Sequence, residues 1–175
     1  VEFGTEAEVR AGTPGVYVAS LARLKTELDR RQSGSFVASS NANQVIAANV
    51  WTKIILQVED FDDSGWFAVH DAGSPATTSR YTPQVAGYYE FGCGAYLTGL
   101  AAGFTFYAAL YRNGVLHKLF ARKPTLAQVD AYSTLPRVPA NGTTDYFELY
   151  LWHNSSGTVN AISPTDFSGG LAKAA

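Results

Sequence analysis

The stretch DYFELYLW (residues 145–152) alternates as a β-strand does, yet both of its alternation sets are apolar. One parity carries Phe147, Leu149 and Leu151; the other carries Tyr146, Tyr150 and Trp152, interrupted by Glu148. A strand of a simple sandwich turns one side to its own core and the other to water. Here the second side also asks for cover. The pattern recurs in FTFYAALY (104–111), where Phe104, Phe106, Ala108 and Leu110 oppose Thr105, Tyr107, Ala109 and Tyr111. In GYYEFGCGAYL (87–97), Tyr89, Phe91, Cys93, Ala95 and Leu97 oppose Tyr88, Glu90 and Tyr96. The aliphatic and Phe-rich sets suit a dry core. The Tyr- and Trp-rich sets suit an interface, because these rings bury large areas while keeping a polar tip.

Three such strands left bare would form a contiguous aromatic patch, which monomeric soluble proteins seldom tolerate. Identical copies around a rotation axis cover it most economically, so the expected state is an oligomer. Composition agrees. Charged residues make up 16% of the 175-residue chain and aromatics 13%. A lone soluble domain averages roughly a quarter charged, and a deficit of charge with a surplus of rings marks surface that meets another subunit. The formal net charge of −2 leaves no broad electrostatic footprint for nucleic acid. No apolar run approaches bilayer-spanning length, so membrane insertion is not expected.

The chain reads as two parts. Residues 1–33 are charged and Ala-rich, and residues 34–175 are rich in Gly, Tyr and Phe with turn signals every ten or so residues. In the first part Tyr17, Leu21, Leu24, Leu28 and Arg31 follow one another at intervals of 4, 3, 4 and 3, the spacing of a coiled-coil seam. The expectation is a short α-helical neck, too short to stand alone in water. It either packs on its own β domain or self-associates. The second part is expected to be all-β, a two-sheet jelly-roll sandwich. Its strands are predicted near 35–39, 44–48, 51–58, 65–69, 78–83, 86–98, 104–112, 115–122, 127–134, 145–153, 157–162 and 165–172. Asn113-Gly114 between two apolar runs is the strongest hairpin signal, since both residues accept positive φ.

Several ordered motifs carry a resemblance to a known family. SRYTPQVAGYYEFGCGAYL (79–97) has a short strand, a Pro, then Gly-x-Tyr-x-Phe entering a long strand. ALYRNGVL (109–116) holds an Arg-Asn-Gly hairpin, ANGTTDYFELYLWH (140–153) a turn and penultimate strand, and TDFSGGLAK (165–173) a closing Phe-Ser-Gly strand. VIAANVWTKI (45–54) and FDDSGWF (61–67) fall in the expected order. Residues 35–173 thus resemble the jelly-roll shared by complement globular heads and tumour-necrosis-factor (TNF) cytokines. That family forms homotrimers, and the resemblance implies that Tyr107, Tyr111, Tyr150 and Trp152 face sister subunits, with Tyr17, Leu21, Leu24 and Leu28 in the neck seam. TEAEVRAGTPGVYVASLARLKTEL (5–28) is similar to a stalk element of bacteriophage tail fibres, which precedes a carboxy-terminal binding head. Together these resemblances imply a homotrimeric virion fibre head (tail or capsid) that joins other virion proteins through its N-terminal part. Its head would bind a host-surface glycan or protein during adsorption. The rival is a structural decoration or trimerisation tip with no receptor role.

Chemistry-bearing patterns are sparse. No Gly-x-Ser-x-Gly or phosphate-loop motif occurs, and Asp145 and Glu148, three apart, point to opposite faces of one strand. No enzyme and no cofactor are expected. Glu59, Asp60, Asp62 and Asp63 offer oxygen ligands of the kind calcium takes, but without EF-hand spacing; a solvated acidic turn is the favoured reading and calcium the weaker alternative. His117 and His153 read as strand-end surface residues, and Cys93 as a buried inert thiol. Recognition is expected on loops 62–66, 70–79, 99–103, 123–128, 136–143 and 154–158. Candidate receptor-binding residues are Trp66, His70, Asp71, Arg122, Lys123 and Tyr132, with Trp66 divided evenly between a core and a binding role.

Overall fold

The protein is described by a computed structural model over residues 34–70, 78–124 and 128–174. The expected helix and its seam residues Tyr17, Leu21, Leu24 and Leu28, the 33/34 boundary and Asp71 lie outside the described residues. Twelve strands follow in order: β1 (Phe36–Ser39), β2 (Gln44–Ile46), β3 (Thr52–Lys53), β4 (Val58–Asp62), β5 (Phe67–Ala68) and β6 (Arg80–Tyr81). Then come β7 (Gly87–Thr98), β8 (Thr105–Arg112), β9 (Val115–Pro124), β10 (Gln128–Ala140), β11 (Phe147–His153) and β12 (Val159–Ala174). There is no helix among the described residues.

The strands form two antiparallel sheets. The first has the order β10-β7-β12-β1-β4, with β2 also on β12; the second has the order β5-β6-β11-β8-β9, with β3 also on β11. The core between them is built from the parity sets read off the sequence. Tyr89, Phe91, Cys93, Ala95 and Leu97 of β7 point inward beside Phe36 and Ala38 of β1 and Phe167 of β12. They meet Phe106, Ala108 and Leu110 of β8 and Phe147, Leu149 and Leu151 of β11. Each large side chain so buried contributes about 1.5–3 kcal/mol. The rings interlock: Phe36 stacks on Tyr81 with centroids 4.4 Å apart, Phe91 lies 4.6 Å from Phe147 and 5.7 Å from Phe167. The buried Tyr hydroxyls are satisfied, Tyr81 donating to the Gly34 carbonyl and Tyr89 to the Val85 carbonyl at 2.7 Å.

Three features differ from the expected strand pattern. The predicted strand 51–58 is two strands in different sheets. Ile54–Gln57 cross between them, with Ile54 N–H donating to Leu149 O and Gln57 N–H to Ser39 O, and with Ile54 and Leu56 buried. Residues 157–162 and 165–172 merge into β12, whose register on β7 shifts between Ile162 and Asp166. The expected loop 136–143 is largely strand, because β10 continues through Pro136 and Arg137 on a register shift, Arg137 taking φ 56°. Pro is tolerated there because β10 is a sheet edge and the irregularity frees its missing donor.

His153 is also corrected, from surface to interior: it is fully buried. Its Nε2–H donates to Ile46 O at 2.8 Å and its Nδ1 accepts from Ser155 N–H at 3.1 Å, which fixes the tautomer and ties β2 to the end of β11. His117 is half-buried with Nε2 sealed from solvent, and burial together with Arg112 and Lys118 lowers its pKa.

Candidate functional site

The second face of the opening strand lies on the outside of the second sheet. There Trp152 pairs with Tyr107, Tyr150 with Ala109 and with Lys53, and Glu148 with Tyr111. Trp51, just before β3, settles over this row. Its ring centroid is 6.2 Å from Tyr107, 5.8 Å from Tyr111 and 6.4 Å from Trp152. Tyr107 meets Trp152 edge-on at 5.2 Å, and Tyr111 stacks on Tyr150 at 3.8 Å. Tyr111 is thereby only 9% exposed and Ala109 fully covered, while the other four rings are half-buried. Part of the cover that the sequence demands therefore comes from the chain itself.

Glu148, the one acid in that parity, is 2% exposed and sits among charges of opposite sign. Its Oε1 accepts from Lys53 Nζ at 2.7 Å and from Arg80 Nη2 and Nε at 3.0 and 3.1 Å. The Arg80 guanidinium also lies 3.6 Å over the Tyr146 ring. Burial, then the Glu148 charge, pushes the Tyr150 phenol up to about 12. Asp145, the other acid weighed for chemistry, accepts from Arg112, Asn113 and the Asn141 backbone at 2.6–2.8 Å. Burial pushes its carboxyl up, but these bonds outweigh burial and hold it below the usual carboxylate range. Both acids hold turns and strands in place.

The outer face of the first sheet is different. Along β7 and β12 its centre is Gly92, Gly94, Ser168 and Gly170, of which Gly92, Ser168 and Gly170 line a trough of about 590 Å³ bordered by Val37, Phe61 and Thr134. A Cβ on Gly94 would collide with the Asp166 carboxylate and stand 2.8 Å from the Tyr132 ring. Tyr132 is 60% exposed and meets Tyr96 edge-on at 5.6 Å, so this candidate lies on a sheet face and not on a loop. Asp60, Glu90, Asp130 and Asp166 are on or beside this face, against Lys173 and Arg137. Burial and the nearby Asp60 raise the Asp166 carboxyl, against a backbone hydrogen bond from Gly94.

Nine large apolar side chains are exposed among the described residues, and seven of them fall in two places. Val37, Phe61, Tyr88 and Tyr132 belong to the first-sheet face, and Val115 (68% exposed), Leu116 and Leu119 to β9, the edge strand of the second sheet. β9 also carries Lys118 and no carboxylate.

The remaining candidates are scattered. Trp66 packs partly buried on the core, 6.3 Å from Tyr81 and against Gly34. His70 Nδ1 is 2.7 Å from Thr78 Oγ1. Arg122 is exposed on β9 with its guanidinium 5.6 Å over Tyr107, and Lys123 follows it in the same strand. Of the four acids weighed for calcium, Asp62 accepts from the backbone N–H groups of Ser64, Gly65 and Phe67, and Asp63 from Ser35 N–H. Glu59 and Asp60 are exposed on β4. Among the described residues no three His, Cys, Asp or Glu side chains converge as a metal site. The Cys93 thiol is pushed up to about 12, by burial first and by Asp166 second. Sequence reasoning missed Trp51 and the glycine trough. The alternating glycines of YEFGCGAY were the available signal for the latter, since Gly in a strand marks close approach.

No family model matches the chain, and no curated protein does. Solved structures do. Murine APRIL matches with a TM-score of 0.50 at 12% identity, covering 78% of this chain and 98% of that one. Eiger TNF from S. frugiperda matches with a TM-score of 0.52 at 8% identity, covering 83% and 96%. At such identities the likeness concerns the fold, and the described residues form a TNF-like jelly-roll sandwich.

Proposed function

We propose that the chain is the homotrimeric, non-catalytic head of a virion fibre that attaches a phage to its host surface. The observation that carries the trimer is the pair of bare apolar patches on one subunit. Two unlike patches set apart on one subunit suit a head-to-tail contact, which makes a ring where its rotation closes. In this arrangement the β9 edge of one copy, with Val115, Leu116 and Leu119, lies across the glycine trough of the next, between Phe61 and Tyr132. Charge favours the same pairing, since Lys118 comes from a strand without carboxylates and the receiving face holds Asp60, Glu90 and Asp166. Tyr107, Tyr111, Tyr150 and Trp152, assigned to this contact from the sequence, lie on the outer face of the second sheet, opposite the trough and on the side that Leu116 and Leu119 share. The likeness to TNF-like structures supports a trimer in particular.

The virion setting rests on the stalk-like stretch 5–28. Attachment suits a head whose buried acids Glu148 and Asp145 are engaged in structural pairs, and three weak sites on one rigid body gain avidity. Light scattering of the full chain should give three times its 18.8 kDa mass. Lys118→Glu should lower that mass, and a single-copy mass for the unaltered chain would sink the trimer. Retention of the labelled chain on intact bacterial cells checks attachment. A trimer held by no cell would favour a decoration or trimerisation tip.

A further inference from the structure

The aromatic row on the second sheet is interlocked and half-exposed, and lies on the sandwich face opposite the first-sheet face, beside β9. We infer that Trp51, Tyr107, Tyr150 and Trp152, with Arg122 at the border, form a binding platform for an acidic polysaccharide. The inference deepens the attachment reading by naming its site and ligand class, and rests on that reading for its purpose.

Three observations point to a saccharide. The rings already touch one another at centroid distances of 3.8–6.4 Å, so their orientation is set before a ligand arrives and little freedom is lost on binding. A pyranose offers an apolar C–H side and a rim of hydroxyls, which matches Tyr and Trp rings with hydroxyl and N–H tips. The open area is small. Rings of this kind bury roughly 150–250 Å² each when fully covered. Here they are already half-buried, so a few hundred Å² remain, short of the roughly 800 Å² per partner of a stable protein contact.

The sign of the ligand follows from the charges. Glu148, the carboxylate within the row, is engaged by Lys53 and Arg80, two cations against its one negative charge. Arg122 is exposed, lies 5.6 Å over Tyr107, and comes from a strand that carries no acid. A uronate, sialate or phosphate group on a sugar seated against Tyr107 would meet that guanidinium.

The test applies the full chain to immobilised polysaccharides bearing uronate, sialate or phosphate groups, with neutral glucans alongside. Retention on at least one acidic polysaccharide, weaker on glucans and declining with salt, is expected. Arg122→Glu and Trp152→Ala should each weaken it tenfold or more, Trp152→Ala with the scattering mass of the unaltered chain. Retention on none of the acidic polysaccharides, equal retention on glucans, or indifference to both substitutions overturns the platform. So does a change of oligomeric mass in Trp152→Ala, which would return the rings to the copy interface. Cell retention separates the two readings. Cells that hold the unaltered chain and both variants equally leave attachment standing and remove the platform. Acidic polysaccharide bound through these residues by a chain that no cell holds leaves the platform and removes attachment.

Discussion

On the second sheet, residues facing away from the core are Tyr107, Tyr111, Tyr150 and Trp152, and Trp51 folds over them from the same chain. On the first sheet the equivalent outward positions at the centre are Gly92, Gly94, Ser168 and Gly170; the Asp166 carboxylate and the edge of Tyr132 lie over Gly94, and the small side chains of Ser168, Thr134 and Ser35 border Gly92 and Gly170. Large side chains can cover one another and satisfy part of their own demand for burial. Small ones cannot; they make a recess that only another body fills. The face that looked neediest in sequence is therefore the better covered, and the one that looked bland is the more open.

If that contrast is right, the same kind of change should act differently on the two sides. Val37→Asp combined with Phe61→Asp should weaken association by about a thousandfold or more, read as a drop in scattering mass on dilution. Tyr150→Ser on the other face should leave the mass intact. Glu148→Ala removes the carboxylate that Lys53 and Arg80 share and should cost about 2–3 kcal/mol in urea unfolding. Glu90→Ala, an exposed outward acid of β7, should change the stability of one copy by no more than about 0.5 kcal/mol.

Asp145→Asn should cost about 2 kcal/mol at neutral pH. Because its carboxyl is held below the ordinary value, its contribution is present at neutral pH and is lost as pH falls through that lowered value. The acid limb of a stability–pH curve should accordingly flatten in the variant. Cys93 gives the smallest effect: at pH 8 the native thiol should stay unlabelled by iodoacetamide, and become reactive on unfolding, because burial holds it protonated. Rapid labelling of the folded chain would contradict the dry interior assigned to the inward parity.

How much of this was legible depended on the range of the interaction. The inward sets of β7, β8 and β11 and the Asn113-Gly114 hairpin are local patterns, and both appear in the structure, the hairpin with φ of 55° and 76°. Residues 51–58 were misread because apolar alternation continues unbroken while the chain leaves one sheet and joins the other. Periodicity reports that a side is buried, not by which sheet. Trp51 escaped notice for the same reason, since its partners lie some 56–101 residues away in sequence. His153 reads as a surface residue in sequence because nothing local announces that the Ile46 carbonyl will meet its ring. Glu148 did leave a trace: a lone acid within an aromatic parity requires cations nearby.

The Gly34 carbonyl is held by the Tyr81 hydroxyl, under Trp66, immediately before β1. β1 then runs between β12 and β4, with four register partners on each side. A pull delivered along this strand from the preceding chain must slide it lengthwise against both neighbours at once, straining their hydrogen bonds together and not one after another. Force entering at this point therefore meets both ladders in shear, the direction in which a strand pair resists most.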